Sequence, residues 1–262
     1  MTLIIKSIFI IIFLNSSSFA DGNPSVVRWS SPDGIKRLEN SKFKNDFYQL
    51  ADYFQPQINP LYCGVATSVI ILNSIANNGG APTQKNLEVS KPKIFGGGNI
   101  EFPSYSQLTF FNDQTNKIKD QKIIELKNIT PDNENYAKNF DPGLTLLELK
   151  KILTKSYWLK GKSVYVKNSN KKTVDKFRKL VKKITSDECR FLIINFHGSV
   201  LNLKTGGHIS PIVAFDEDSD SVLVLDVAGH KNGWYWANIS DVVKAMNTKD
   251  GKKYRGYLIV SK

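Results

Sequence analysis

Cysteine is nearly missing from this chain: 262 residues contain two, Cys63 and Cys189. That leaves room for at most one disulfide. Histidine is almost as scarce, with three residues, so each can be weighed singly. No zinc-finger spacing and no RNA-binding aromatic motif occurs, which argues against a nucleic-acid partner. The one glycine triplet, at 96–98, lacks the Lys-Ser/Thr of a phosphate loop and reads as a flexible turn. Beyond the first twenty residues no apolar run approaches the ~20 residues that a membrane-crossing helix needs. Acidic residues are also few, 24 against 36 basic ones, and the resulting charge of +12 suits anionic partners.

What is present begins with "MTLIIKSIFIIIFLNSSSFA": an early lysine, an apolar run, and a small-x-small ending. This is the pattern of a signal peptide over 1–20, and it predicts an exported protein, periplasmic or secreted, with no membrane attachment after cleavage. Residues 21–262 are expected to form a single domain. The whole chain is 41% hydrophobic and 23% charged, ordinary for a chain with a sizeable core.

Residues 21–34 read as an extended arm and 35–54 as a polar helix. From Cys63 to Ala76 the apolar residues cover most of a helical surface, which predicts a buried helix stopped by "NNGG". Residues 81–100 read as loop. "TFFNDQTNKI" and "PGLTLLELKKIL" suggest further helices, the second capped by threonine. "SVYVKN" alternates like a strand, and the lysine-rich "TVDKFRKLVKKI" is an amphipathic helix with a solvated basic face. Five short strands then follow: "CRFLIINF", "GHISPIVAFD", "SVLVLDVAG", "GWYWANI" and "RGYLIVSK". Helices first and a mostly antiparallel sheet last make an α+β fold.

His197 ends a strand and His230 sits in a turn. His208 opens a strand whose hairpin, if it closes at residue 217 within "DEDSD", brings Asp226 opposite. Cys63 at the first turn of a buried helix would meet free backbone N–H groups and the positive end of the dipole. Both favour a thiolate. An imidazole backed by a carboxylate would complete a nucleophile–base–orienter set, and Gln57 on the entering loop is a candidate oxyanion donor. Cys63 could equally be inert helix packing, or half of a disulfide with Cys189.

"QINPLYCGVATSVIILNSI", "GGHISPIVAFDEDSDSVLVLDVAGHKNGWYW" and the closing "RGYLIV", with "PGLTLLELKKIL" and "TVDKFRKLVKKITSDECRFLIINFH" between them, resemble the phytochelatin synthase family over about residues 45–260. The resemblance implies a papain-like fold and a Cys63–His208–Asp226 triad that cleaves the Cys–Gly bond of glutathione. It implies Gln57 as the oxyanion residue, and Asn195, Gly207 and Arg255 as contacts for the acyl part of the substrate. No resident cofactor or metal ligand set is implied. Cadmium or zinc ions would enter as activators through metal–glutathione thiolates, and a homodimer is compatible with the family. A catalytic Cys63 must be free, which makes Cys189 a packing residue at a strand start.

Two departures stand out. The family usually reads Asp-Val-Ala-Arg where this chain has "DVAG", with Gly229 in the arginine's place, and a basic residue is replaced by Gly198. These 262 residues also contain no counterpart of the cysteine-rich C-terminal region of plant members. Similarity to the short bacterial type implies that hydrolysis to γ-glutamylcysteine dominates over transfer. A papain-like peptidase acting on a secreted or leader peptide is the alternative enzyme, and an inert thiol-bearing metal-binding or structural module the alternative outside enzymes.

Overall fold

The computed structural model describes residues 25–77, 87–90, 93–102, 104–125, 143–187 and 190–262. The leader at 1–20, the glycines at 79–80 and Cys189 lie outside them. The helices are α1 (Pro32–Asn40), α2 (Asn45–Ala51), α3 (Cys63–Asn77), α4 (Gln121–Glu125), α5 (Leu146–Lys155), α6 (Lys171–Ile184) and α7 (Ile239–Met246). The main strands are β1 (Val26–Arg28), β4 (Lys160–Tyr165), β5 (Arg190–His197), β6 (Gly207–Asp216), β7 (Ser221–Val224), β8 (Tyr235–Asn238) and β11 (Gly256–Ser261). They form one sheet in the order β1-β8-β7-β6-β5-β11-β4, each neighbouring pair antiparallel. Two small hairpins, β2 (Leu87–Ser90) with β3 (Asn99–Phe102) and β9 (Lys249–Asp250) with β10 (Lys253–Tyr254), stand apart from it.

The sheet is covered on both faces because its central strands are apolar on both. In β5, Phe191 and Ile193 enter a core with α3 and α5, whereas Leu192, Ile194 and Phe196 enter a second core with α6 and α7. The expected buried helix is α3, in which Cys63 through Ile75 are all buried. Gly64 lets it close in: a Cβ there would lie 3.2–3.4 Å from side-chain atoms of Leu144 and Ile209. Thr67 Oγ1 then donates to the Ile209 carbonyl at 3.1 Å, binding the helix to β6.

Thr145 caps α5 as expected, reciprocally with Glu148. Elsewhere the structure departs from the sequence reading. The polar helix at 35–54 breaks in two, because the chain turns extended at 41–43 to pair with the end of β6. Phe215 N–H donates to the Phe43 carbonyl at 2.7 Å, and Ser41 Oγ donates to the Phe215 carbonyl at 2.7 Å. "TFFNDQTNKI" is a run of turns instead of a helix. Asn112 Oδ1 accepts from the N–H groups of Gln114 and Thr115, and Thr115 Oγ1 accepts from Asn112 N–H. Side chains that take over local backbone bonds in this way compete with the helix. Within the stretch read as loop, the chain pairs β2 with β3. The arm contributes edge strand β1. Helix α7 goes unrecognised in the sequence, although Asn238 caps it and Ile239, Val242, Val243 and Met246 give it a buried helical face.

Candidate active site

Cys63 is the first residue of α3 and is 8% exposed. Its backbone N–H belongs to the first helical turn, where donors lack an intrahelical acceptor. Among the described residues it is the free cysteine, and its side chain is buried.

His208 is the second residue of β6, and Asp226 follows two residues after β7. The two do not face each other across the ladder. Asp216 pairs with Ser221, and a bulge between Ile212 and Ala214 leaves Ile212 opposite Val224. Continued two residues further, that register sets Asp226 opposite Ser210 and His208 on the diagonal. The hairpin therefore closes later than residue 217, yet the imidazole and carboxylate meet. His208 Nε2 and Asp226 Oδ1 are 2.7 Å apart, with the rings and carboxylate almost wholly buried. Because a carboxylate only accepts, Nε2 carries the proton and donates it. Nδ1 is then the ring nitrogen left for Cys63.

Charge reinforces this line of groups. Burial alone would drive the proton off His208. The negative charge of Asp226, its hydrogen bond, and the hydrogen bond and charge of Cys63 outweigh burial and raise the imidazole to about 10. Burial works against the Asp226 carboxylate too, but His208, the Ala228 N–H and Asn232 together lower it below the usual range. Asp226 Oδ1 accepts from Ala228 N–H at 2.7 Å and Oδ2 from Asn232 Nδ2 at 3.2 Å. Behind it Tyr235 is fully buried, and burial together with the charge of Asp226 pushes its phenol well above the ordinary value.

Gln57 is brought to the same place by its backbone, whose N–H donates to the Val227 carbonyl at 2.9 Å. Its amide is not free, however. Nε2 donates to the carbonyls of Asn59 (3.0 Å) and Pro60 (2.9 Å), and Oε1 is buried without a hydrogen-bond partner. The amide expected to face an oxyanion thus supports the turn that leads into α3. The Asn59 carbonyl also accepts from Tyr62 N–H at 2.9 Å, so it keeps a donor if Gln57 swings away.

Asn195, Gly207 and Arg255 do come together, on the ends of β5, β6 and β11. Arg255 Nη1 donates to Asn195 Oδ1 at 2.7 Å. Gly207 leaves the space that the guanidinium fills, since a Cβ there would lie 2.6 Å from Nη2. Burial pulls Arg255 below its ordinary value against the opposing attraction of Asp250 and of Cys63, so this cation stands in the field of the thiol.

Asp250 completes the group and was not singled out in the sequence. Its Oδ2 accepts from Asn195 Nδ2 at 3.0 Å, and its Oδ1 lies 3.4 Å from Arg255 Nη2. In sequence "KDGKK" is only a turn signal. A cleft of about 310 Å³ opens beside Asp250, walled by Thr145, Leu147, Tyr165, Lys252 and Tyr254. Gln107 is another residue without a sequence signal. It is buried, accepts from Ile58 N–H at 3.1 Å and donates to the Pro56 carbonyl at 2.9 Å, which fixes the loop carrying Gln57.

A buried thiol at a helix start, an imidazole and a carboxylate in line can add to a carbonyl and protonate a leaving amine. The adjoining Arg255 and Asp250 offer one charge of each sign.

Comparison with known proteins identifies the family. The family model described as phytochelatin synthase matches residues 22–257. The chain is 28% identical to the glutathione gamma-glutamylcysteinyltransferase 3 of Lotus japonicus, over 92% of its own length and 43% of the relative. It is 24% identical to the glutathione gamma-glutamylcysteinyltransferase 1 of Arabidopsis thaliana, over 92% of its own length and 42% of the relative. With the glutathione gamma-glutamylcysteinyltransferase of Schizosaccharomyces pombe it shares 24% identity over 86% of its own length and 45% of the relative. The chain thus spans less than half the length of the curated relatives it matches.

Proposed function

The chain belongs to the phytochelatin synthase family, and on that premise we propose that it is a thiol acyltransferase that cleaves the Cys–Gly bond of glutathione. The observation that carries this reading is the 2.7 Å bond between His208 Nε2 and Asp226 in a buried site where the imidazole is coupled to Cys63. The curated relatives are named glutathione gamma-glutamylcysteinyltransferases, which supports acyl transfer from glutathione.

In the proposed reaction the Cys63 thiolate adds to the carbonyl carbon of the Cys–Gly bond. Its own backbone N–H stabilises the oxyanion. Gln57 joins it by releasing the Asn59 carbonyl, which keeps its bond from Tyr62. His208 Nδ1–H passes its proton to the glycine nitrogen, the C–N bond breaks, and glycine leaves a γ-glutamylcysteinyl thioester on Cys63. Neutral His208 then takes a proton from water as the oxygen adds, and collapse returns the thiolate and frees γ-glutamylcysteine. If the amine of a second glutathione adds instead, the product is phytochelatin. Throughout, Nε2–H stays on Asp226, which fixes the tautomer.

The γ-glutamyl head is a zwitterion. Its carboxylate matches Arg255 and its ammonium matches Asp250, with Asn195 holding both protein charges in place. An acceptor glutathione is anionic, and two positions that are basic in the family are Gly198 and Gly229 here. This favours hydrolysis as the dominant outcome. Cadmium or zinc would act as glutathione thiolates, as part of the acceptor. Export by the leader at 1–20 would place the reaction outside the cytoplasm.

Purified protein incubated with glutathione, with and without cadmium, tests the reading by separation of the products. γ-Glutamylcysteine and glycine in excess over phytochelatin are expected. Neither product above a Cys63→Ser control would sink it.

A further inference from the structure

We infer that Ser210 is a positioning residue for the catalytic pair, its hydroxyl holding both the imidazole of His208 and the backbone that follows Asp226. This deepens, and rests on, the thiol-acyltransferase reading. Ser210 is fully buried and lies two residues after His208 on β6, so both side chains leave the same face of the strand. Its Oγ is 3.2 Å from His208 Nε2. Since Nε2 already donates to Asp226, Ser210 is a second acceptor for the same proton. The Val227 N–H also donates to Ser210 Oγ, at 3.4 Å.

The place of this hydroxyl in the ladder explains its work. Leu225 N–H makes the last backbone bond to β6, at 3.0 Å to the Pro211 carbonyl. Beyond it the chain leaves the sheet, and the Ser210 hydroxyl takes the place of a ladder carbonyl for Val227. Asp226 is thereby held opposite Ser210, with its carboxylate reaching diagonally to His208. A single contact to Asp226 would leave the imidazole free to rock about its Cβ–Cγ bond. A second acceptor at Nε2 restricts that motion and keeps Nδ1 directed at Cys63 whether the ring is charged or neutral.

Titratable groups meet His208 from three sides: Asp226 from the end of β7, Cys63 from α3, and Tyr235 of β8 behind Asp226; Arg255 stands in the field of Cys63. Ser210 accepts a hydrogen bond from the charged ring, so removing it lowers the affinity of His208 for its proton.

The test compares Ser210→Ala and Ser210→Thr with wild type in two pH profiles. One is glutathione turnover; the other is alkylation of Cys63 by iodoacetamide, which needs no knowledge of the substrate. Ser210→Ala should lower kcat by about tenfold, the scale of one buried hydrogen bond, with KM within about twofold. The pH at which His208 loses its proton should move lower in both profiles, read as the alkaline fall in turnover and as the alkaline inflection in alkylation rate. Ser210→Thr, which keeps the hydroxyl, should return this limb toward wild type. An unshifted limb in Ser210→Ala, or equal displacement in both variants, overturns the inference. If wild type leaves glutathione untouched, the substrate reading fails and the alkylation profiles still decide the role of Ser210.

Discussion

Asp226 lies two residues past the β6–β7 ladder, where the register, continued, sets it opposite Ser210, and it reaches His208 along the diagonal at 2.7 Å from Nε2. A bulge in β6 thus determines how the candidate base and its carboxylate meet. The same bond makes the protonation of His208 the most accessible reporter of the site.

Replacing Asp226 by asparagine removes the charge that offsets burial, so His208 loses its proton at a lower pH. The alkaline limb of activity, expected near 10 in the wild type, should fall toward or below the ordinary histidine value. At neutral pH the rate should drop about 10²-fold, as for other losses of acid–base function. Stability follows the same signs. The His208 contribution is complete below about 6.5 and is lost as pH rises through about 10. The Asp226 contribution is present above the ordinary carboxylate value and is lost as pH falls through its lowered one. Urea denaturation should therefore show the variant most destabilised around neutrality, with the gap narrowing at both extremes.

Gly207→Ala probes the proposed substrate contacts without touching Cys63, His208 or Asp226. The new Cβ would sit 2.6 Å from Arg255 Nη2, so the guanidinium must move. KM for glutathione should rise by roughly tenfold, the cost of about 1.4 kcal/mol of lost binding, with kcat less affected. Asp250→Asn should do the same by removing the partner proposed for the ammonium. Steady-state kinetics with unchanged KM in both variants would remove this group from the substrate site.

Gly229 and Gly198, where the family resemblance implies basic residues, differ in what they tolerate. A Cβ at Gly229 meets only Pro56 Cβ at 3.7 Å, an ordinary contact. Gly229→Arg should fold normally and raise the ratio of phytochelatin to γ-glutamylcysteine. At Gly198 a Cβ would lie 2.0 Å from Thr205 Oγ1 and 2.6 Å from its carbonyl. Gly198→Arg should cost a few kcal/mol, about the 1–3 kcal/mol of an overpacked site, visible as a lowered denaturation midpoint.

Asp46 makes a prediction about stability alone. It is fully buried at the start of α2, and neither carboxylate oxygen has a hydrogen-bond partner. Burial, with repulsion from Asp187, pushes it up to about 9. Folding then takes up a proton, and the wild type loses stability as pH rises from about 4 toward 9. Asp46→Asn removes that loss and should stabilise the protein by a few kcal/mol, on the order of 2–4 at pH 8. Urea denaturation at pH 5 and pH 8 measures the slope, which should flatten in the variant.

What the sequence determined by itself is the local order. The apolar residues from Cys63 to Ile75, covering most of a helical surface, read as a buried helix, and β5, β6 and β11 are legible from their short apolar runs and flanking turn residues. Cys63 and His208 stood out because a chain with two cysteines and three histidines offers few candidates, whereas their grouping with Asp226 came from the hairpin spacing and the family resemblance. The tertiary structure decided the rest, since those features depend on partners remote in sequence. The break at 41–43 exists because Phe43 pairs with Phe215, and α7 forms where its apolar stripe finds the second core. Asp250 is part of the site only because β5 and β11 are neighbours, which sets Asn195 beside Gly256 and within reach of Arg255. Ser210 gained its place opposite Asp226 from a bulge, and a one-residue shift in a ladder leaves no trace in composition or spacing.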